Sequence, residues 1–204
     1  MKLLPLLLLL CAGAARAADA IDVFGIHWTV PLASEWKVEE DGGAAALRIV
    51  TNRGPDKDKP RRPRQFALSD KEYGSFDLDL DVKVLQRSLI IVYAYKDEAH
   101  FNYAHLSTDT GAKQPVHNGI FHVFGGERVR ISSTEGPPSF AAVDKWNHVA
   151  LRYDAKAGKL AVLVNGKANP SVTAVDLSLG SGKVGLGSFD ETAVFKNVKI
   201  TSVR

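Results

Sequence analysis

Residues 76–84 read FDLDLDVKV, a stretch in which Phe76, Leu78, Leu80, Val82 and Val84 alternate strictly with Asp77, Asp79, Asp81 and Lys83. Successive side chains on a strand point to opposite faces, so this pattern describes a strand with one face in a core and one in water. The same period of two recurs downstream at Val149, Leu151 and Tyr153, and again at Leu160, Val162 and Val164. The chain shows no comparable helical stripe. Asp41-Gly42-Gly43, Pro137-Pro138, Lys156-Ala157-Gly158, Asn165-Gly166 and Gly180-Ser181-Gly182 punctuate the β-rich runs, because Gly and Asn supply positive φ and Pro ends strands. Many short strands at this spacing predict a sandwich or barrel, here one all-β domain over residues 21–204.

Composition agrees with a packed domain. Of 204 residues, 45% are hydrophobic and 24% charged, which excludes a disordered chain, and a single Cys excludes a disulfide scaffold. Residues 1–17, MKLLPLLLLLCAGAARA, combine a basic start, an apolar run of about ten residues and an Ala-x-Ala ending, the features of a secretory signal peptide too short to span a bilayer. Cleavage is expected after Ala17, with Ala18-Asp19-Ala20 as a second acceptable site. The expected product is secreted or periplasmic, without stable membrane insertion. Loss of Lys2 and Arg16 takes its formal net charge from +3 to +1, and the only Cys and Met leave with the same segment.

Two C-terminal passages carry a family resemblance. Lys145-Trp146-Asn147-His148-Val149-Ala150-Leu151-Arg152-Tyr153-Asp154, followed by Lys159-Leu160-Ala161-Val162-Leu163-Val164-Asn165-Gly166-Lys167, resembles the hairpin of laminin-G-like and concanavalin A-like sandwiches. Gly182 to Phe189 with Phe195 to Ile200 is similar to the closing strands of 3-keto-disaccharide hydrolase domains, and Ser88 to Tyr95 with Phe101 to Leu106 fits the same type. The resemblance implies a two-sheet antiparallel jelly-roll sandwich of the concanavalin A-like lectin and glucanase type. It also implies a carbohydrate or glycoconjugate as partner, and cleavage of 3-keto glycosides by base-assisted elimination. The same architecture hosts non-catalytic glycan-binding modules and adhesion domains, which remain the alternatives.

Strand alternation suggests where such chemistry would sit. If Ala104 and Leu106 face the core, Tyr103 and His105 share the opposite face, and His122 lies opposite Phe121 and Val123. On the preceding strand Leu89, Ile91, Tyr93 and Tyr95 share one face, and the more uniformly small, apolar set Ile90, Val92 and Ala94 is expected inward. Tyr93, Tyr95, Tyr103, His105 and His122 are therefore expected on one outward sheet face. Rings of this kind stack on pyranoses, and His117, Asn118 and Arg64 add candidate polar contacts for substrate. For elimination, His105 or His122 is the candidate base, with Arg87 or Arg128 as the cation stabilising an enolate oxygen.

Other signals are weaker. Four of the six His fall between positions 100 and 122, but no metal-binding motif accompanies them, so no metal residues are assigned. A divalent ion assembled across strands is the one cofactor left open. Asp77, Asp79 and Asp81 superficially resemble a glucanase acid row. Neighbours at i and i+2 lie roughly 6.6 Å apart, against the about 5 to 5.5 Å of a retaining pair, so a solvated polar face is expected. Arg53 to Arg64, RGPDKDKPRRPR, reads as an exposed basic loop, either simply solvated or recruiting an acidic glycan through Arg61, Arg62 and Arg64. It lacks the interleaved aromatics of a nucleic-acid site, so no nucleic-acid partner is expected. Oligomeric state is not encoded in any pattern recognised in the sequence. Intact-mass measurement of the exported protein is expected to show an N-terminus at Ala18 or Ile21; a retained Met1 would overturn the signal-peptide reading.

Overall fold

The computed structural model describes residues 18–53 and 64–203. The signal-peptide segment and residues 54–63 of the basic run, including Arg61 and Arg62, lie outside the described residues. In chain order the strands are β1 (Asp19–Val23), β2 (Ile26–Val30), β3 (Trp36–Asp41), β4 (Ala44–Ile49), β5 (Gln65–Tyr73), β6 (Phe76–Val84), β7 (Ser88–Asp97) and β8 (His100–Ser107). They continue with β9 (Gly119–Phe124), β10 (Glu127–Arg130), β11 (Trp146–Asp154), β12 (Lys159–Val164), β13 (Lys167–Val175), β14 (Gly182–Ser188) and β15 (Ala193–Ser202).

Among the described residues these strands form two antiparallel sheets. One has eight strands in the order β1-β2-β5-β14-β7-β8-β9-β10, and the other seven in the order β13-β12-β11-β6-β15-β4-β3. The expected sandwich is thus observed. Strand β6 lies in the middle of its sheet, between β11 and β15, with Phe76, Leu78, Leu80, Val82 and Val84 fully buried. Asparagine and glycine close the β12–β13 hairpin as the sequence suggests: Asn165 and Gly166 adopt φ of 51° and 74°, the left-handed pair a tight two-residue turn requires.

The acids of β6 project from the other side. Arg152 on β11 donates to both carboxylate oxygens of Asp79 at 3.0 and 2.8 Å, while His148 and Asn197 engage Asp81 at 3.2 and 2.7 Å. The Arg152 hydrogen bond holds the Asp79 carboxyl below its ordinary range. These acids are engaged in a cross-strand polar lattice.

The eight-stranded sheet departs from expectation on β7. Leu89, Ile91 and Tyr93 pack in the sandwich core, while Ile90 and Val92 belong to a second apolar cluster on the sheet's outer side. The expected facing of Ile90 and Val92 is therefore reversed. Both rows of β7 are apolar, and partner register decides between them: Leu89 pairs with Leu106 and Ile91 with Ala104, which do face inward. Ala94 nevertheless stays in the core because its φ of 49° marks a bulge, with the register shifting between Tyr93 and Asp97. The bulge sends Tyr95 outward while Tyr93 remains in the core. Gly182 on β14 makes room for it, since a Cβ there would come within 2.4 Å of the Ala94 carbonyl carbon.

The two faces of β6 predict different sensitivities. Leu80→Ala should cost about 2–5 kcal/mol through loss of burial and a residual cavity, whereas Asp79→Ala should cost no more than about 1 kcal/mol. Urea unfolding of the two variants checks the contrast, and equal losses would contradict this assignment of faces.

Candidate active site

The outer face of the eight-stranded sheet is built by pairing. Val92 pairs with Tyr103 and Tyr103 with Phe121; Ile90 pairs with His105 and His105 with Gly119. One row of apolar and aromatic side chains therefore runs across β7, β8 and β9. Tyr103 stacks on Phe121 with centroids 5.2 Å apart and meets Phe189 edge-on at 5.3 Å. Phe66 and Phe101 extend the cluster, their rings 5.7 Å apart.

His105 lies at one end of this row and is only 4% exposed. Its Nε2 is 3.0 Å from Ser88 Oγ, and Ser88 in turn donates its hydroxyl to Glu191 at 2.8 Å and its backbone N–H to the same carboxylate oxygen at 2.5 Å. Arg87 pairs with the other Glu191 oxygen at 2.6 Å. The remaining ring nitrogen of His105, Nδ1, is buried with no hydrogen-bond partner among the described residues, as is the Tyr103 hydroxyl.

A second pair stands beside the first. His117 Nδ1 hydrogen-bonds Asp109, and its ring lies 5.1 Å from that of His105. Asn118 sets this segment in place: its Oδ1 accepts from the N–H groups of Ser107 and Ser139, and its Nδ2 donates to Ser107 Oγ and the Asp109 carbonyl. Asn118 is fully buried, so its role is to shape the loop rather than to meet a ligand.

Arginines border the face. Arg128 lies over Phe121 at 3.9 Å and near Tyr103 at 5.8 Å, donates to the Val116 carbonyl, and forms no ion pair among the described residues. Arg130 instead donates to the carbonyls of Pro115, Ser132 and Ser133. Gly119 leaves room for it, since a Cβ there would lie 2.3 Å from an Arg130 nitrogen and displace the guanidinium.

Of the residues expected from sequence, His105, Tyr103, His117, Arg87 and Arg128 come together. Tyr95 and Arg64 share the same face at its far end, both contacting Glu98, with Arg64 over Phe101 at 4.8 Å. Tyr93 and His122 do not join them. Tyr93 is 1% exposed inside the sandwich. His122 projects to the other side of its sheet, where its Nδ1 lies 2.7 Å from Asn102 Oδ1 and 3.3 Å from Asp176. The alternation around His122 was expected, but its flanking Phe121 and Val123 face outward. Ser88, Asp109, Phe121, Phe189 and Glu191 were not anticipated as site residues. Glu191 lies 103 residues from Ser88, and no local spacing signals their contact. Among the described residues no three His, Cys, Asp or Glu side chains are grouped as metal ligands, and no helix is long and apolar enough to cross a membrane.

Burial holds the His105 imidazole well below its ordinary value, and the nearby charges of His117, Arg128 and Arg87 act in the same direction. The ring is therefore held neutral, and Nδ1 is its one nitrogen without a hydrogen bond among the described residues.

Two antiparallel sheets packed face to face, one of them with its outer face uncovered by the other, make the molecule a β-sandwich. The chain belongs to the 3-keto-alpha-glucoside-1,2-lyase-like domain family, whose model matches residues 26–201. In fold it is similar to the carbohydrate binding module CBM66 from Bacillus subtilis, with a TM-score of 0.59 at 18% identity over 86% of this chain and 95% of that one. A glycosyl hydrolase candidate from Parabacteroides distasonis aligns with a TM-score of 0.56 at 18% identity, covering 84% of this chain and 92% of that chain. Xylan beta-1,4-xylosidase from Bacillus halodurans gives 0.57 at 13% identity, over 86% of this chain but only 36% of the larger protein. No curated protein matches the sequence.

The state of His105 makes a testable demand on stability. Because its folded value is depressed, the unfolded chain binds more protons there once the pH falls below about 6.5. Stability is full above that pH and declines below it, with a slope approaching about 1.4 kcal/mol per pH unit at this group. His105→Gln should remove this component. Urea titrations of both proteins from pH 7 down to about 5 check it, and parallel pH profiles would contradict a depressed His105.

Proposed function

We propose that this is an exported carbohydrate-active domain that cleaves 3-keto glycosides on the outer face of its eight-stranded sheet, with His105 as the base. The observation that carries this reading is the buried, neutral His105 imidazole with an unpartnered nitrogen, near the charges of Arg128 and Arg87. Membership of a 3-keto-alpha-glucoside-1,2-lyase-like family supports the choice of substrate. The N-terminal sequence supports export.

The chemistry follows from the ketone. A carbonyl at C3 acidifies the proton on C2; His105 accepts that proton, and the electron pair left behind passes into the enolate. The enolate collapses to form the C1–C2 double bond as the C1–O bond breaks, and the departing oxygen takes the proton that His105 accepted, which returns the imidazole to its neutral state. Water adding later at C1 completes a net hydrolysis. A cation near the C3 oxygen stabilises the enolate. Arg128, free of ion pairs among the described residues, and Arg87, tied to Glu191, are the candidates.

The packing of the rings argues against an exposed aromatic binding platform. Tyr103 and Phe121 are buried, with Arg128 lying over Phe121, so they do not form an open stacking platform. His105→Ala should lower turnover of a 3-keto glycoside by about 10²- to 10⁴-fold while the far-UV spectrum stays that of the parent. Product analysis by mass spectrometry reads the reaction. Glycan binding by the wild type with no turnover, unaltered by His105→Ala, would instead establish a lectin-like module.

A further inference from the structure

The geometry points to Ser88, Glu191 and Arg87 as a positioning chain that fixes His105 as the Nε2–H tautomer and leaves Nδ1 as the proton-accepting atom. The mechanistic value of this device rests on the function proposed above, but the device itself can be observed without substrate.

Hydrogen-bond directions lead to the tautomer. Glu191 is ion-paired with Arg87 through one oxygen, and its other oxygen receives two contacts from Ser88, the backbone N–H at 2.5 Å and Oγ at 2.8 Å. Carboxylate oxygens only accept, so the Ser88 hydroxyl proton points at Glu191. With that proton committed, Ser88 Oγ can only accept from the atom on its other side, His105 Nε2 at 3.0 Å. The proton of a neutral imidazole must then be on Nε2, and Nδ1 carries the lone pair. That nitrogen is the one left buried without a partner among the described residues.

The arrangement reverses the usual sequence of a serine nucleophile. There the histidine lies between the hydroxyl and the carboxylate and accepts the hydroxyl proton. Here the hydroxyl lies between histidine and carboxylate and is oriented away from nucleophilic use. Ser88 therefore serves as a relay of orientation, and Glu191 fixes it from the loop after β14. Arg87 holds that carboxylate from the residue next to Ser88, so both ends of the chain are secured on neighbouring elements.

Nitrogen NMR of the full protein carrying 15N-labelled histidine tests the assignment, with His105 signals identified by their absence in His105→Gln. Wild type should show a protonated Nε2 and a bare Nδ1, with no change between pH 6 and 8, the range spanning an ordinary imidazole. Ser88→Ala should turn this single signature into a mixture of tautomers, and Ser88→Thr, which keeps the hydroxyl, should restore it. On a 3-keto glycoside, Ser88→Ala should lower kcat by about tenfold or more with KM little changed, and Ser88→Thr should recover most of it. A proton on Nδ1 in the wild type, or a signature indifferent to Ser88→Ala, overturns the proposal. If the tautomer is as stated and no 3-keto glycoside is turned over, the positioning chain is supported and the proposed reaction is what fails.

Discussion

The eight-stranded sheet is apolar on both sides, and only one side is covered by the second sheet. Leu89, Ile91, Ala104 and Leu106 meet the seven-stranded sheet; Ile90, Val92, Tyr103 and Phe121 face the other way and are still almost fully buried. A sheet with such a surface must cover it with its own long side chains and adjoining loops. Arg128 lying over Phe121, Phe189 against Tyr103, and Arg64 over Phe101 do so here. Covering side chains with charged ends bring polar chemistry to an apolar floor, and this combination makes a site.

Ser88 and Glu191 show how the site is tied to the fold. Ser88 opens β7 in the middle of the sheet, while Glu191 lies in the short connection from β14, the neighbour of β7, to β15 in the opposite sheet. Their hydrogen bonds therefore cross from one sheet to the connection that links both. Removing one partner would leave the other's polar atoms buried without a bond, at a typical cost of about 1–3 kcal/mol or more for a charged group. The β7–β8 pairing then carries this fixed point to His105.

The parts legible in the sequence were those whose two faces differ chemically. β6 alternates apolar residues with Asp and Lys, so its orientation could be read directly, and Asn165-Gly166 announced its turn. β7 offered no such contrast, since Leu89 to Val92 is a continuous apolar run and both faces are buried. The choice of face depended on pairing with Leu106 and Ala104, which is a non-local fact. Alternation also fails at a bulge: Ala94 adds one residue, so Tyr93 and Tyr95 part company although they are two apart. For His122 the neighbours misled, because Phe121 and Val123 have the composition of core residues but pack on the outer cluster. Ser88 and Glu191 gave no signal at all, being ordinary strand and loop residues until the fold joins them.

The arginines answer two electrostatic requirements at once. Burial among apolar rings holds the His105 imidazole neutral, and the charges of His117, Arg128 and Arg87 reinforce burial by disfavouring an imidazolium. The same charges favour any negative charge that develops beside the ring, and they do so more strongly because water is excluded from the apolar floor. Proton transfer to His105 creates the charge that these arginines oppose, so it is favoured only when an anion forms together with it. In the reaction proposed above, a site arranged in this way would resist idle protonation by solvent and allow protonation coupled to the enolate. The coupling arises because the charges stand on a sheet face whose aromatic rings keep the local dielectric low.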